Sequence, residues 1–504
     1  MVNKTCAQSR QVNLTRPRSS TATTRARAAK MLLDFEMLRS RPTGKSWRVR
    51  TREFLPGYND ADSVDAVSHS LGVCWPKLRE QAYITRYPEE RAANIQMFAA
   101  AVRDFQRALN GLSVLRPTPG NLQKRIFDIF QSSSGRLVAA ASSLRKCEGQ
   151  QPLARLVEVA SLIDRKAEIV PRAHLKPKRN GFRTICSFTA ADRATMALAK
   201  FVIEATLGHS EFDMALPGRG GARGAVKKIK AAVRDGYTHW AYLDIRGAFS
   251  SVRRTHLRSI CPALDRTLGH IVFPRVPVLR CACHTRDATR STTATCTTHG
   301  SNQRWVRCLP EGAKTSAIVL SAVLGQELRR FAERDWVIIT HVDDILIGTR
   351  THAEAEEART LVTNALRSLR SGPIFLSRSE VQSVDRSWGV NFVGYRISRW
   401  PGGRLYTRPS NESWRRFRDR CLQRLVAQFG LGPPADWEAV LTLSTDFAKR
   451  WAASFTVWRK GDRARNLIAS NAVDAASIFQ QAQLNIQAGW RSSVDGSERQ
   501  HLPI

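Results

Sequence analysis

The chain has 504 residues, enough for two to four domains, and its 42% hydrophobic and 24% charged content is that of a protein that mostly folds. Its 79 Lys+Arg against 43 Asp+Glu leave a net charge of +36, and 63 of those 79 cations are arginine. A balance this basic argues against an ordinary metabolic enzyme and points to an acidic partner, nucleic acid first, because guanidinium groups take phosphate bidentately and stack on bases.

Residues 1–33 carry Arg, Lys, Ser and Thr with no Asp or Glu, which predicts a basic, disordered arm. A mitochondrial transit peptide is the alternative, so the expected compartment is the cytoplasm, with the mitochondrion second. The start lacks the apolar core of a secretory signal, so the ten cysteines are expected as reduced thiols. No apolar run reaches the ~18–20 residues of a membrane span. Residues 34–167 are predicted as a mostly helical extension. Within it Ile95, Phe98, Val102, Phe105 and Leu109 recur at helical spacing and form one core-facing stripe.

From 168 to 400 short apolar runs alternate with helical stretches and glycine turns, the texture of an α/β or α+β body. In WVIITHVDDILIG, 336–348, two β-rich runs flank a polar stretch and predict a hairpin with Asp343 and Asp344 at its turn. Adjacent aspartates between buried strands repel one another unless a cation neutralises them, although an ordinary polar turn is the plainer reading of the segment alone. A second apolar run, THWAYLDIRGAFSSV at 238–252, ends in Asp244. Side-by-side strands would bring Asp244 close to Asp343, and such carboxylates make a hard oxygen site suited to Mg²⁺. Past the turn Trp400-Pro401-Gly402-Gly403, residues 401–504 read as helical. Trp414, Phe417, Cys421, Leu425 and Phe429 mark an apolar face, Arg415, Arg416, Arg418, Arg420 and Arg424 lie off it, and Pro433-Pro434 provide the stop.

Asp244 followed by Ala248-Phe249, and then His341-Val342-Asp343-Asp344, resembles the palm of a reverse transcriptase, with His341 where the family usually has an aromatic residue. Three further segments resemble family motifs in the family's order. AHLKPKRNGFRTICSF, 173–188, is similar to the fingers hairpin; RCLPEGAKTSAIVLSAVL, 307–324, to the motif whose usual core is Leu-Pro-Gln-Gly; NFVGYRIS, 391–398, to the primer-gripping hairpin. The tail is similar to the helical thumb of group II intron and related bacterial enzymes.

The resemblance implies an α+β right-hand polymerase. Its fingers and palm (antiparallel sheet plus helices) would span 168–400, its helical thumb 401–504, and the helical extension 34–167 would precede them. It implies Asp244, Asp343 and Asp344 as catalytic metal ligands for Mg²⁺ or Mn²⁺. It puts Lys178 and Arg183 on the incoming triphosphate, Gly312 where backbone must approach nucleotide or template, and Phe249 under the sugar, where a 2′-hydroxyl would clash. Gly394 and Tyr395 would grip the primer. The partners would be an RNA template, a nucleic-acid primer and dNTPs; the sequence sets no oligomeric state.

Two positions depart from the pattern. Glu311 stands where the family has Gln, and Glu380 where it has a lysine approaching the leaving phosphates, with Arg378 two residues earlier. They favour a weakened, RNA-binding or maturase-like protein as one alternative. A viral RNA-dependent RNA polymerase is another, although such enzymes commonly carry a second Asp where this chain has Phe249. Cys281, Cys283, His284, Cys296, His299 and Cys308 could offer zinc ligands, but their spacing fits no standard zinc module, and free cysteines in a variable insertion are the plainer reading.

Overall fold

The computed structural model describes Leu71 and residues 88–113, 119–143, 153–178, 181–277, 305–385, 389–400, 402–430, 435–455, 457–458 and 462–498. Two compact units divide the chain, Met1–Gly208 with Cys261–Ser316, and His209–Ile260 with Ala317–Ile504.

In the first unit α1 (Pro88–Ser113), α2 (Pro119–Gln131), α3 (Ser133–Ser143) and α4 (Leu153–Ser161) precede a hairpin of β1 (Arg172–Lys178) and β2 (Gly181–Ser187), then α5 (Ala190–Leu207). The expected stripe on α1 is real: Phe98, Val102, Phe105 and Leu109 are buried and Ile95 half-buried. Phe105 meets Phe201 of α5 edge-on, with ring centroids 5.4 Å apart. Thr189 and Asp192 form a capping box that starts α5, and Arg193 donates to the carbonyls of Phe188 and Ser143, so this acid and base hold structure together. The unit also contains α9 (Pro262–Val272), the short pair β4 (Arg275–Pro277) and β5 (Trp305–Arg307), and the turn at Glu311-Gly312.

The second unit is built on an antiparallel sheet ordered β6-β7-β3-β8, from β3 (His239–Ile245), β6 (Val337–His341), β7 (Asp344–Thr349) and β8 (Leu376–Ser383). Alternation along the strands gives each face its own covering. Trp240, Ile339 and Leu346 join a core with Ala225, Val226 and Ile229 of α6 (Gly221–Arg234). α11 (His352–Arg367) packs on β3, β7 and β8 and buries Ala355, Ala358, Val362 and Leu366. Trp240 lies opposite Gly348, where an added Cβ would sit 2.7 Å from the indole ring. This unit's first half also holds α7 (Ala248–Ser251) and α8 (Arg254–Ile260), and most of α10 (Ser316–Leu328), which buries Ile318, Val319, Leu320, Val323, Leu324 and Leu328, also belongs here.

A three-stranded sheet of β9 (Val390–Phe392), β10 (Tyr395–Arg399) and β11 (Leu405–Pro409) leads into α12 (Asn411–Phe429), α13 (Trp437–Ala452) and α14 (Asp462–Glu498). Trp414, Phe417, Cys421 and Leu425 are buried as their spacing predicts, and an aromatic cluster of Trp414, Phe417, Trp451 and Phe455 ties α12 to α13 and its C-terminal turn. The expected proline stop is not what ends α12. Gly430, at φ 71°, closes it by donating its N–H to Val426, and Pro433-Pro434 lie outside the described residues. Among the described residues no helix is long and apolar enough to cross a membrane.

Candidate active site

The carboxylates are placed by strand register. β3 pairs antiparallel with β7 so that Asp244 lies directly opposite Asp344, and β6 pairs with β7 so that His341 lies opposite Asp344. The hairpin therefore turns in two residues, Val342 and Asp343, and the Asp343 carbonyl accepts the Ile245 N–H at 3.2 Å. The expected partner of Asp244 was Asp343; register makes it Asp344, with Asp343 one residue back in the turn.

Val342 has φ 62°, a left-handed conformation that a β-branched residue rarely adopts. Positive φ at the first of two loop residues is the pattern of a type II′ turn, which ordinarily puts glycine there. The turn is braced from outside. Residues 212–214 run beside β6, with Thr340 and Phe212, and Met214 and Thr340, exchanging backbone bonds at 2.7 and 2.8 Å. The buried Asp213 carboxylate accepts the Ala215 N–H at 2.8 Å and faces the Val342 N–H. Burial holds that carboxyl above the usual range, and these bonds pull it back down.

Tyr242, two residues before Asp244 and so on the same strand face, donates its hydroxyl to Asp344 at 2.6 Å. Burial, first, and the charges of Asp344 and Asp244 hold the Tyr242 phenol far above its ordinary value, so it stays a donor. Asp344 is pushed up to about 6, first by burial and then by the like charges of Asp343 and Asp244, while the Tyr242 bond and Arg416 act the other way. Asp244 accepts from the Ser377 hydroxyl.

On the other side of β3, Arg378 lies opposite Asp244 and Glu380 opposite Tyr242. Arg378 reaches both oxygens of Glu380 at 2.8 and 2.9 Å and lies 5.6 Å from the centre of the Tyr242 ring. The cation beside the aspartate is thus Arg378, two residues before the position where a lysine was expected. An arginine there can steady negative charge but is a poor proton donor. Phe249 sits half-buried in α7, just past β3.

The remaining expected site residues fall elsewhere. Lys178 ends β1 opposite Gly181; its side chain, and Arg179-Asn180, lie outside the described residues. Arg183, on β2, forms an ion pair with Glu311 at 2.6 Å. Gly312 has φ 105°, and an added Cβ would lie 2.6 Å from the Cys186 carbonyl oxygen, so the backbone that approaches it closely is that of β2. Gly394 turns the β9–β10 hairpin, and its carbonyl accepts from Ser410 N–H and the Ser413 hydroxyl. The Tyr395 side chain is buried edge-on against Phe455, so its ring serves the core and only its backbone is open to a primer role. Cys281, Cys283, His284, Cys296 and His299 lie outside the described residues, and burial pushes the Cys308 thiol up to about 11.

Among the described residues no group of three or more His, Cys, Asp or Glu side chains stands arranged as a metal cage. Asp244 and Asp344 are each turned to a neighbouring hydroxyl. The donor set nevertheless suits a hard divalent cation: Asp343 and Asp244 both lie near enough to Asp344 for their like charges to add to burial in raising its carboxyl.

Residues 174–397 match the family model for reverse transcriptase (RNA-dependent DNA polymerase). The chain carries a reverse transcriptase domain. No curated protein matches the chain significantly. The domain is a nucleotidyltransferase, an RNA-directed DNA polymerase, and its family fold of fingers, palm and thumb agrees with the mixture of helices and antiparallel sheets. The match begins within β1 and ends within β10, so it takes in all three aspartates and Phe249; α1–α4 and α12–α14 lie outside it.

Proposed function

We propose that Asp244, Asp343 and Asp344 are the catalytic centre at which this reverse transcriptase extends a primer 3′-hydroxyl with dNTPs on an RNA template. The observation that carries the reading is the register that sets Asp244 opposite Asp344, with Asp343 next to it at a braced turn. The three carboxylates would hold Mg²⁺ or Mn²⁺; when bound, a pair of such ions supplies Lewis-acid activation of the attacking oxygen and stabilises the departing pyrophosphate. The protein's part is to aim the carboxylates. Tyr242 and Ser377 orient Asp344 and Asp244 by donating hydroxyls, and Arg378 supplies positive charge beside Asp244.

In this proposal Lys178 and Arg183 bind the triphosphate, the Gly394–Tyr395 turn contacts the primer through its backbone, and Phe249 selects the sugar. Residues 34–167 form an N-terminal extension to fingers and palm at 168–400, with 401–504 as thumb. The thumb arginines, of which Arg416, Arg418, Arg420 and Arg424 are exposed, meet the phosphate backbone. The helical tail favours the group II intron-like branch of the family, acting in the cytoplasm.

The test is primer extension on homopolymer templates of RNA and of DNA, with dNTPs and rNTPs compared. A phenyl ring offers a 2′-hydroxyl no hydrogen bond, and an unpaired buried hydroxyl costs about 1–3 kcal/mol, or roughly 5- to 150-fold in selectivity. Wild type should prefer dNTPs, and Phe249→Ala should raise rNTP use relative to dNTP. Equal or better use of rNTPs by wild type would overturn the proposal in favour of an RNA polymerase.

A further inference from the structure

Arg183 lies on β2, and its guanidinium donates to Glu311 Oε1 at 2.6 Å. The meeting is not a chance encounter of two long side chains. The Cys186 N–H donates to the Glu311 carbonyl at 2.8 Å, and Gly312 lets the two backbones come so close that any side chain there would strike the Cys186 carbonyl. On the far side of the turn Lys314 Nζ donates to the Ser142 carbonyl at 3.1 Å. Backbone bonds thus deliver the carboxylate to a fixed place beside the arginine.

The pair is also accessible. The Arg183 and Glu311 side chains retain 38% and 28% of their exposure, so a soluble anion can reach the guanidinium. Arginine binds carboxylate and phosphate through the same planar fork, and the two anions compete for it.

We propose that Glu311 is a built-in rival of the incoming triphosphate: it holds Arg183 in an ion pair that the nucleotide must displace, and so sets the dNTP KM without taking part in the chemistry. The proposal rests on the reading of Arg183 as a triphosphate ligand. A glutamine at 311 would keep the backbone clamp, which uses main-chain atoms, and remove the competing charge.

Steady-state primer extension with Arg183→Ala, Glu311→Gln and the double variant tests it. Arg183→Ala should raise the dNTP KM. Glu311→Gln should lower it about two- to fivefold, the worth of a half-exposed ion pair, with kcat within about twofold of wild type. Glu311→Asp, which withdraws the charge by one methylene, should shift KM in the same direction. In the Arg183→Ala background Glu311→Gln should change nothing.

An unchanged KM in Arg183→Ala overturns the nucleotide-binding reading itself. A raised KM there, with an unchanged or raised KM in Glu311→Gln, overturns only the rivalry. So does a lower kcat at unchanged KM, which would make Glu311 a participant in the chemistry, and so does a lowered KM that persists without Arg183.

Discussion

Two hairpins of the second unit turn in two residues, and each puts a valine in the left-handed region, Val342 at φ 62° between β6 and β7 and Val393 at φ 44° between β9 and β10. Their surroundings differ. Val393 is followed by Gly394 at φ 82°, so both loop residues follow the type I′ pattern, and Val393 packs on the apolar core. The turn is tied down through the Gly394 carbonyl to the start of α12. Val342 is followed by an aspartate, and its amide faces a buried carboxylate from a segment some 130 residues earlier in the chain. One turn is relieved by its glycine and would offer the primer only backbone; the other is forced into place by tertiary bonds and presents Asp343. Backbone strain that a distant residue must maintain belongs to a site where position matters more than stability.

The widest separation between the two turns should be in chemistry. If Asp343 is the proposed metal ligand, Asp343→Asn cuts nucleotide incorporation by about 10³-fold or more, because the Lewis-acid contribution it would support is worth several kcal/mol. Val393→Asn, which suits a type I′ turn, should leave incorporation within about twofold. Primer extension on both variants, with circular dichroism to confirm folding, measures the gap; comparable losses would erase the distinction.

The brace comes next. Asp213→Ala leaves the Ala215 amide without its acceptor, at about 1–3 kcal/mol for a buried unsatisfied group, and removes the carboxylate that faces the Val342 amide. The loss in kcat should be about tenfold, with dNTP KM little changed, since the residue positions Asp343 and does not touch the nucleotide. Asp213→Asn keeps a carbonyl acceptor and should recover much of the stability. Denaturant titration beside steady-state kinetics checks both.

The smallest effect concerns the strain itself. A valine at positive φ costs about 1–3 kcal/mol, and glycine recovers that less about 0.5–1 kcal/mol of chain entropy. Val342→Gly should therefore raise stability by roughly 1 kcal/mol while slowing incorporation a few-fold. Val393→Gly, which also gives up packing on the core, should be neutral or destabilising. Thermal melts of the pair would show whether the two valines carry the same burden.

Much of the site could be read locally. Apolar runs around Asp343-Asp344 and before Asp244 mark strand ends, and the stripe Trp414, Phe417, Cys421, Leu425 marks a helix face, because strand and helix periods are properties of neighbouring residues. What needed the fold was pairing across distance. Register, set by the whole of β3 against β7, decides that Asp244 faces Asp344 and that Arg378 lies beside it. The contacts Asp213–Val342 and Arg183–Glu311 join residues more than 120 positions apart, which no local pattern reports. Two further features follow from strand alternation alone. Alternation along β3 puts Tyr242 on the face of Asp244, and alternation along β10 puts Tyr395 with Ile397 on the buried side.

The Trp240–Gly348 contact has a consequence for how such a chain can change over generations. The indole fills the volume that any side chain at 348 would need, with 2.7 Å between the ring and an added Cβ. Neither position can be altered alone without opening a cavity or forcing a collision in the strands that carry Asp244 and Asp344. The two sites should therefore substitute as a correlated pair across descendants, a large ring with glycine or a smaller residue with a larger partner. A chain in which one had drifted without the other would be expected to have let the strands that carry Asp244 and Asp344 go as well.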